Sequence, residues 1–398
     1  MNSIANNNIQ QNIPPNVQQN IQQAKQWLTQ NVFPIWFERG YESSTGCFVE
    51  SIALTGEPLS NLDRRAMVQA RQIYAMTEAV RLNLFARDKA TPIIRKNIQM
   101  LIQQYRLPSG GYAHSINSAL QVSNSDVDLY TQAFVLFGLA RAYELLQDEQ
   151  LVIEAKKLLN YLQESRSTGN GGHTEIKAGK TLYQSNPHMH LFEAALAWVA
   201  VSRENCWRQL ADDLFDLCTT KFIDAETGFL AEHYLEPWTP QRIDGHFIFE
   251  PGHHFEWAWL LSQYQQLTGV PTAQYSQPLY ESAEKYGLTP DKKFAVDEVL
   301  SNTEVHKKSS RFWPQTERIK AAVDLGLTQS SENQTAYAQV ADTAFVTLFR
   351  YFEGLQAGLW QDTLQEDGKF QNQPAKASSL YHIINALSEY ILKRPQLG

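Results

Sequence analysis

Cysteine is scarce in this 398-residue chain. Only Cys47, Cys206 and Cys218 occur, an odd number with no CxxC pair. That argues against a disulfide frame and a zinc–thiolate site, and it fits a reducing cytoplasm. Long apolar runs are also missing. None approaches the ~20 residues that a membrane span needs, so a membrane partner is not expected. No run of basic residues stands out against a net charge of -8, which makes nucleic acid a poor partner. A glycine-rich phosphate loop, a GxSxG elbow and an HExxH helix are all absent, which removes the commonest nucleotide, α/β-hydrolase and zinc-protease readings. The first residues, MNSIANNNIQQNIPPNVQQN, have neither the positive start nor the apolar stretch of a secretory signal. Their Asn and Gln content predicts a flexible arm over 1–17, ahead of a single domain over 18–398.

What the chain does have is helical periodicity. Twelve segments carry it, near 18–39, 62–84, 90–105, 127–146, 150–165, 186–202, 205–221, 253–268, 272–288, 311–328, 333–352 and 376–393. Asp63, Asp126 and the Asn186-Pro187 pair are candidate helix starts. Connections after odd-numbered helices are long, and those after even-numbered helices are short. The long ones carry turn-like runs: TGCF at 45–48, GGYA at 110–113, GNGGH, TGFL at 227–230 and DGKF at 367–370. Six helix pairs with this alternation predict an all-α fold, an (α/α)6 barrel with short hairpins in the long loops on one face. The even-numbered helices would line its inside. An open solenoid of six pairs is the alternative, but its last helix would be a polar cap, and this one holds Tyr381, His382 and Ile383.

Polar and aromatic residues of unusual kind gather near the starts of the even-numbered helices. They are Arg71 and Glu78, Tyr130, then Asn186, His188, His190 and Glu193, then His253, His254 and Glu256, then Trp313, Glu317 and Arg318, and His382. In a closed ring these starts face one another across a central mouth. A lone histidine on a helix is more often packed or exposed than catalytic, and ten histidines make one chance placement easy. Recurrence at the same position in helix after helix shifts the balance. Asn186 and His190, four apart, share a face, as do His253 with Glu256 and Trp313 with Glu317. A zinc or manganese site from His190, His253, His382 and Glu256 is the sharpest competing reading. A glycosidase using Glu256 and Glu317 ranks third, since it has no evident need for three histidines.

ARQIYAMTEA at 70–79, NPHMHLFEA at 186–194, PGHHFEWAWLL at 251–261, RFWPQTERIKAA at 311–322 and KASSLYHI at 376–383 resemble the N-acylglucosamine 2-epimerase family. The resemblance runs over roughly 20–393. The PAKASSLYH approach to the last histidine is closer to the mannose isomerase type. The resemblance implies an (α/α)6 barrel and a sugar isomerase or epimerase working at C1 and C2 with no cofactor and no metal. It implies His382, His253, His190 and Arg71 as catalytic residues. Asn186, Glu256, Trp313, Glu317 and Tyr130 become substrate-binding partners.

The expected chemistry is proton transfer between C2 and C1 through a cis-enediol, for which histidine has a suitable pKa. His382 is expected to be the base. His253, held by Glu256, would open the ring, and Arg71 would polarise the enediol oxygens. Asn186, Glu317 and Trp313 would bind hydroxyls and stack on the sugar. His190 would supply the second face in an epimerase. The substrate expected first is D-mannose, converted to D-fructose. A sugar 2-epimerase, a mannose-6-phosphate isomerase with its phosphate on Arg242 or Lys307–Lys308, and a non-catalytic sugar-binding barrel are the alternatives. The expected assembly is a monomer or a homodimer.

Overall fold

In the computed structural model, residues 13–168, 171–236 and 238–397 are described. Most of the expected arm therefore lies outside them, as do Gly169 and Asn170 of the GNGGH turn. Twelve α-helices follow in order among the described residues. They are α1 Pro15–Trp27, α2 Ala66–Arg81, α3 Arg87–Tyr105, α4 Leu129–Leu146, α5 Glu149–Arg166 and α6 Ser185–Val201, then α7 Asn205–Leu217, α8 Pro251–Thr268, α9 Ala273–Tyr286, α10 Trp313–Gly326, α11 Ser331–Arg350 and α12 Leu380–Lys393. Among these helices none is long and apolar enough to cross a membrane.

The even-numbered helices pack in a closed circuit: α2 on α4, α4 on α6, α6 on α8, α8 on α10, α10 on α12, and α12 back on α2. Each is covered from outside by an odd-numbered neighbour. This is the (α/α)6 barrel, and the burial follows from it. Ala66–Ala79 of α2 and Pro314–Gly326 of α10 are buried without interruption. By contrast α7 buries one stripe, Trp207, Leu210, Ala211, Leu214 and Leu217, at the spacing of an outer helix. Close approach inside the ring needs small residues. A Cβ on Gly138 of α4 would stand 2.8 Å from that of Ala70 on α2.

Several helix starts differ from expectation. Helix α1 begins at Pro15 rather than 18, because Val17 is already buried against the body. It does not run evenly to 39 but passes into wider turns at Leu28–Val32 and Pro34–Arg39, where Pro34 has no amide to donate. Asp63 does not open α2, since Arg64–Arg65 first pair as a strand with Ser115–Ile116. Asp128, not Asp126, caps α4 by accepting from the Thr131 amide at 2.8 Å. Helix α12 starts at Leu380 because Ala375–Lys376 pair with Ser51–Ile52.

Each long connection opens with a tight hairpin. Tyr41 pairs with Phe48, Arg106 with Tyr112, Ser167 with His173, Ile223 with Leu230, Leu288 with Ala295 and Leu364 with Phe370. Beyond these turns, neighbouring loops join edge to edge. Gln184 pairs with His233, Ile248 with Leu300, Ser310 with Leu364 and Ala375 with Ile52. Between the second and third loops the join is a carboxylate: Glu175 accepts from the Leu129 and Tyr130 amides at 3.1 and 3.2 Å. The barrel mouth thus carries a rim of short strands, and the inner helices start beneath it.

Candidate active site

A cavity of about 390 Å³ opens at this mouth. Its walls come from every inner helix: Arg71 on α2, Tyr130 on α4, Asn186 and His190 on α6, His253 and Glu256 on α8, Trp313 on α10 and His382 on α12. Residues from across the sequence meet here because each stands in the first two turns of a helix in a closed ring. Arg65, Glu250, Arg311, Asp362 and Lys376 complete the rim.

The three histidines are built alike. Nδ1 of His190 lies 3.2 Å from Oε2 of Glu193, that of His253 2.8 Å from Oε2 of Glu232, and that of His382 2.9 Å from Oε1 of Glu317. Each carboxylate is buried and accepts a hydrogen bond from Nδ1–H, which leaves Nε2 as the ring nitrogen without a carboxylate partner. Their charge states nevertheless diverge. Burial lowers His382 to about 4 against the pull of Glu317, with Arg71 and Lys320 lowering it further. Burial likewise takes His190 to about 4, opposed by Glu193. At His253 burial also disfavours the cation, but Glu232 and Glu250 together overcome it and raise the group to about 9. At neutral pH one cavity therefore holds two neutral imidazoles and one imidazolium.

Lys320 explains part of this asymmetry. Its ammonium is fully buried, pairs with Glu317 and sits 3.8 Å from the Trp259 ring centre. With Lys320 beside it, the Glu317 carboxyl is held well below the usual range despite its burial. Glu256 goes the other way. Burial and the charge of Glu317 push it well above the usual carboxylate range. Both its oxygens, and Oδ1 of Asn186, are buried without a hydrogen-bond partner. They are polar groups waiting on the cavity wall.

Arg71 donates to the Tyr130 hydroxyl at 2.6 Å and to the Ser378 carbonyl at 3.1 Å. Its guanidinium is stacked 4.1 Å from Phe134 and 4.8 Å from Tyr381. Trp313 lies between two of the histidines, 4.9 Å from His253 and 5.8 Å from His382, ring to ring.

Two expectations need correction. Glu256 does not hold His253; Glu232 does, from the loop before α8, because Glu256 at i+3 points inward to within 4.0 Å of His190 Nδ1. Glu317 does not reach the cavity. It is fully buried behind His382, so it orients that ring rather than meeting a sugar hydroxyl. Other members of the cluster serve elsewhere. His188 donates to the Gln184 carbonyl and accepts from the His173 amide at 2.8 Å, and His254 accepts from the Leu230 amide at 3.0 Å. Both pin loops to the barrel. Glu78 pairs with Arg81, and Arg318 with Glu284. Arg242, Lys307 and Lys308 are not among the cavity's walls. Glu232, Tyr381 and Lys320 were not anticipated. Glu232 and Lys320 had no local signal, whereas Glu193 stands three residues after His190 and shares its face.

The donor atoms do not gather all three histidines around one point. They form separate groups: His190, Glu193 and Glu256; Glu256, Glu317 and His382; and Glu232, Glu250 and His253. Using any of these as a metal site through Nδ1 would break a histidine–carboxylate hydrogen bond.

Residues 46–386 match the family model of N-acylglucosamine 2-epimerase (GlcNAc 2-epimerase). A mannose-6-phosphate isomerase of Rhizobium meliloti (strain 1021) is 34% identical over 91% of this chain and 94% of its own. The fold is similar to that of the cellobiose 2-epimerase from Bacillus thermoamylovorans B4167, with a TM-score of 0.82 and 17% identity over 93% of this chain and 98% of that one. A D-mannose isomerase crystal structure superposes with a TM-score of 0.81 and 18% identity, covering 94% and 96% of the two chains.

Proposed function

This chain belongs to the N-acylglucosamine 2-epimerase family and is a carbohydrate isomerase or epimerase; we propose that it interconverts an aldose and its ketose, D-mannose and D-fructose first, by histidine acid–base catalysis. The observation that carries this reading is the opposed charge of His382 and His253 across one cavity, a base and an acid available at the same pH.

The steps follow from that pair. His253 delivers a proton to the ring oxygen as the hemiacetal opens and takes up the proton released from O1, so that it is an acid again. Neutral His382 takes the C2 proton through Nε2, and the C2–H electron pair becomes the C1=C2 bond of a cis-enediol. The charge that develops on the C1 oxygen is met by Arg71 and by the proton of His253, which completes the enediol. The O2 proton passes to His253 as the C2 carbonyl forms and His382 returns its proton to C1. Glu256, kept protonated, donates to a sugar oxygen, Asn186 binds a hydroxyl, and Trp313 covers one sugar face.

Free mannose is favoured over its phosphate by the state of the rim cations. Arg65 is paired with Glu50, Arg311 with Glu250 and Asp297, and Lys376 with Asp362. A phosphate would have to displace a carboxylate. The name of the Rhizobium relative supports the phosphorylated substrate as a second reading. Comparing kcat/KM for mannose and mannose 6-phosphate separates the two. Product analysis from mannose in deuterated water tests the reaction itself. Fructose as the early product supports isomerisation. Glucose without fructose overturns it and gives His190 the second proton transfer of a 2-epimerase.

A further inference from the structure

The barrel has a second cavity at the opposite end, where the inner helices finish. It is of about 380 Å³, close to the 390 Å³ of the catalytic one. Its walls come from α2, α4, α6, α8 and α12, between their middles and their last turns, and nothing in the proposed reaction uses it.

Its chemistry is specific. Every charged group there already faces a counter-charge. Glu78 is paired with Arg81, Arg141 with Glu144 at 2.8 Å, and Lys393 with Glu389 and Asp324. Nε of Arg141 keeps an open hydrogen-bonding position, and so do several neutral polar groups. Among the described residues the Asn385 amide and the Tyr74 hydroxyl meet no hydrogen-bond partner; they line the cavity, and the residues are only 3% and 5% exposed. Nε2 of Gln263 also has none. Phe137, Trp259 and Leu196 supply an apolar wall. Buried polar groups without partners are rare in native proteins, and a ligand is one way to satisfy them.

The charge pattern selects the class of ligand. An anion would face the carbonyl ends of five converging helices, and any ion would have to break an existing pair. A neutral polyhydroxylated molecule meets the amides, the phenol and the aromatic wall without doing either. We infer that this basal cavity binds a free, uncharged hexose, separately from the catalytic site. The two cavities share one wall. Glu193 lines the basal one, while its carboxylate accepts from Tyr381 and from Nδ1 of His190 on the catalytic side. This goes beyond the reading of the reaction and holds for either an isomerase or an epimerase.

Two indoles report the cavities independently: Trp313 in the catalytic one, and Trp259, whose Nε1 donates to Glu389 at 3.4 Å, in the basal one. The test is a titration of the full-length His382→Ala chain, labelled at the indole nitrogens, with D-mannose, D-glucose and D-fructose in turn. The expected result is a shift at Trp259 whose midpoint differs from that at Trp313. Asn385→Leu, inside the cavity, and Ala200→Phe, at its exposed edge, are each expected to abolish the Trp259 response and to leave the Trp313 response intact. Ala200→Phe keeps the test open should Asn385→Leu fold poorly. Silence at Trp259 for all three sugars overturns the inference, and so does a shift there that tracks Trp313 in both variants. Silence at Trp313 counts instead against the proposed substrate.

Discussion

Nδ1 of His253 sits 2.8 Å from Oε2 of Glu232, a residue on the loop that leads into α8 rather than on α8 itself. This contact, with Glu250 at 4.0 Å, makes His253 the one catalytic-site histidine raised rather than lowered. Much of the expected behaviour follows from it.

The pH profile of kcat/KM should be a plateau with two limbs. In the proposed reaction His382 is the neutral base, so activity should fall on its protonation below about 4. In the same proposal His253 is the acid, so activity should fall on its deprotonation above about 9. A rate that climbs steadily through pH 9 contradicts the acid role of His253.

Glu232→Gln keeps the shape of the site and removes the charge that raises His253. The alkaline limb should move down toward neutrality, with kcat lowered more than KM is raised. An unchanged alkaline limb means that the Glu232 carboxylate does not govern this step.

His382→Ala should lower kcat by about two to four orders of magnitude, the usual worth of a positioned general base. Glu317→Gln should be milder in kcat and should shift the acid limb, because it loosens the ring without deleting it. Full activity in the alanine variant would sink the mechanism.

Gly252 begins α8 beside the indole of Trp313. A Cβ there would lie 2.5 Å from Cη2 and 2.6 Å from Cζ3 of that ring. Gly252→Ala should push Trp313 across the cavity and raise KM by about tenfold, within the ~1–3 kcal/mol that overpacking costs. Equal KM values in both proteins would mean that the indole makes no contact with substrate.

Acid should also weaken the fold. Burial lowers His188 to about 3, and His190, His254 and His382 to about 4, from 6.5. Between those values the unfolded chain binds more protons than the folded one, so stability falls as pH drops from about 6.5 through 4. Thermal melts across this range should show a declining Tm. His253 has the opposite sign, and its contribution is lost as pH rises through 9.

The architecture was largely legible in advance. Twelve periodic segments and alternating linker lengths are local properties of the chain, and burying one face of each helix leaves few ways to close six pairs. The motifs around His190, His253 and His382 also marked the mouth, because a residue in the first turns of an inner helix has little choice of location.

What sequence could not decide was which partner each histidine takes. His253 and Glu256 are three apart and share a helix face, yet the nearer carboxylate in space is Glu232, brought in by loop pairing from 21 residues away. Glu317 shares a helix face with Trp313 and is expected to bind a sugar hydroxyl, but ring closure buries it with Lys320 behind His382 and pairs the two. The sequence by itself determined the helices, their order and most of the residues at the mouth, since periodicity acts over a few residues. Only the tertiary structure decided which histidine is charged, because that depends on burial and on carboxylates delivered from other helices and loops.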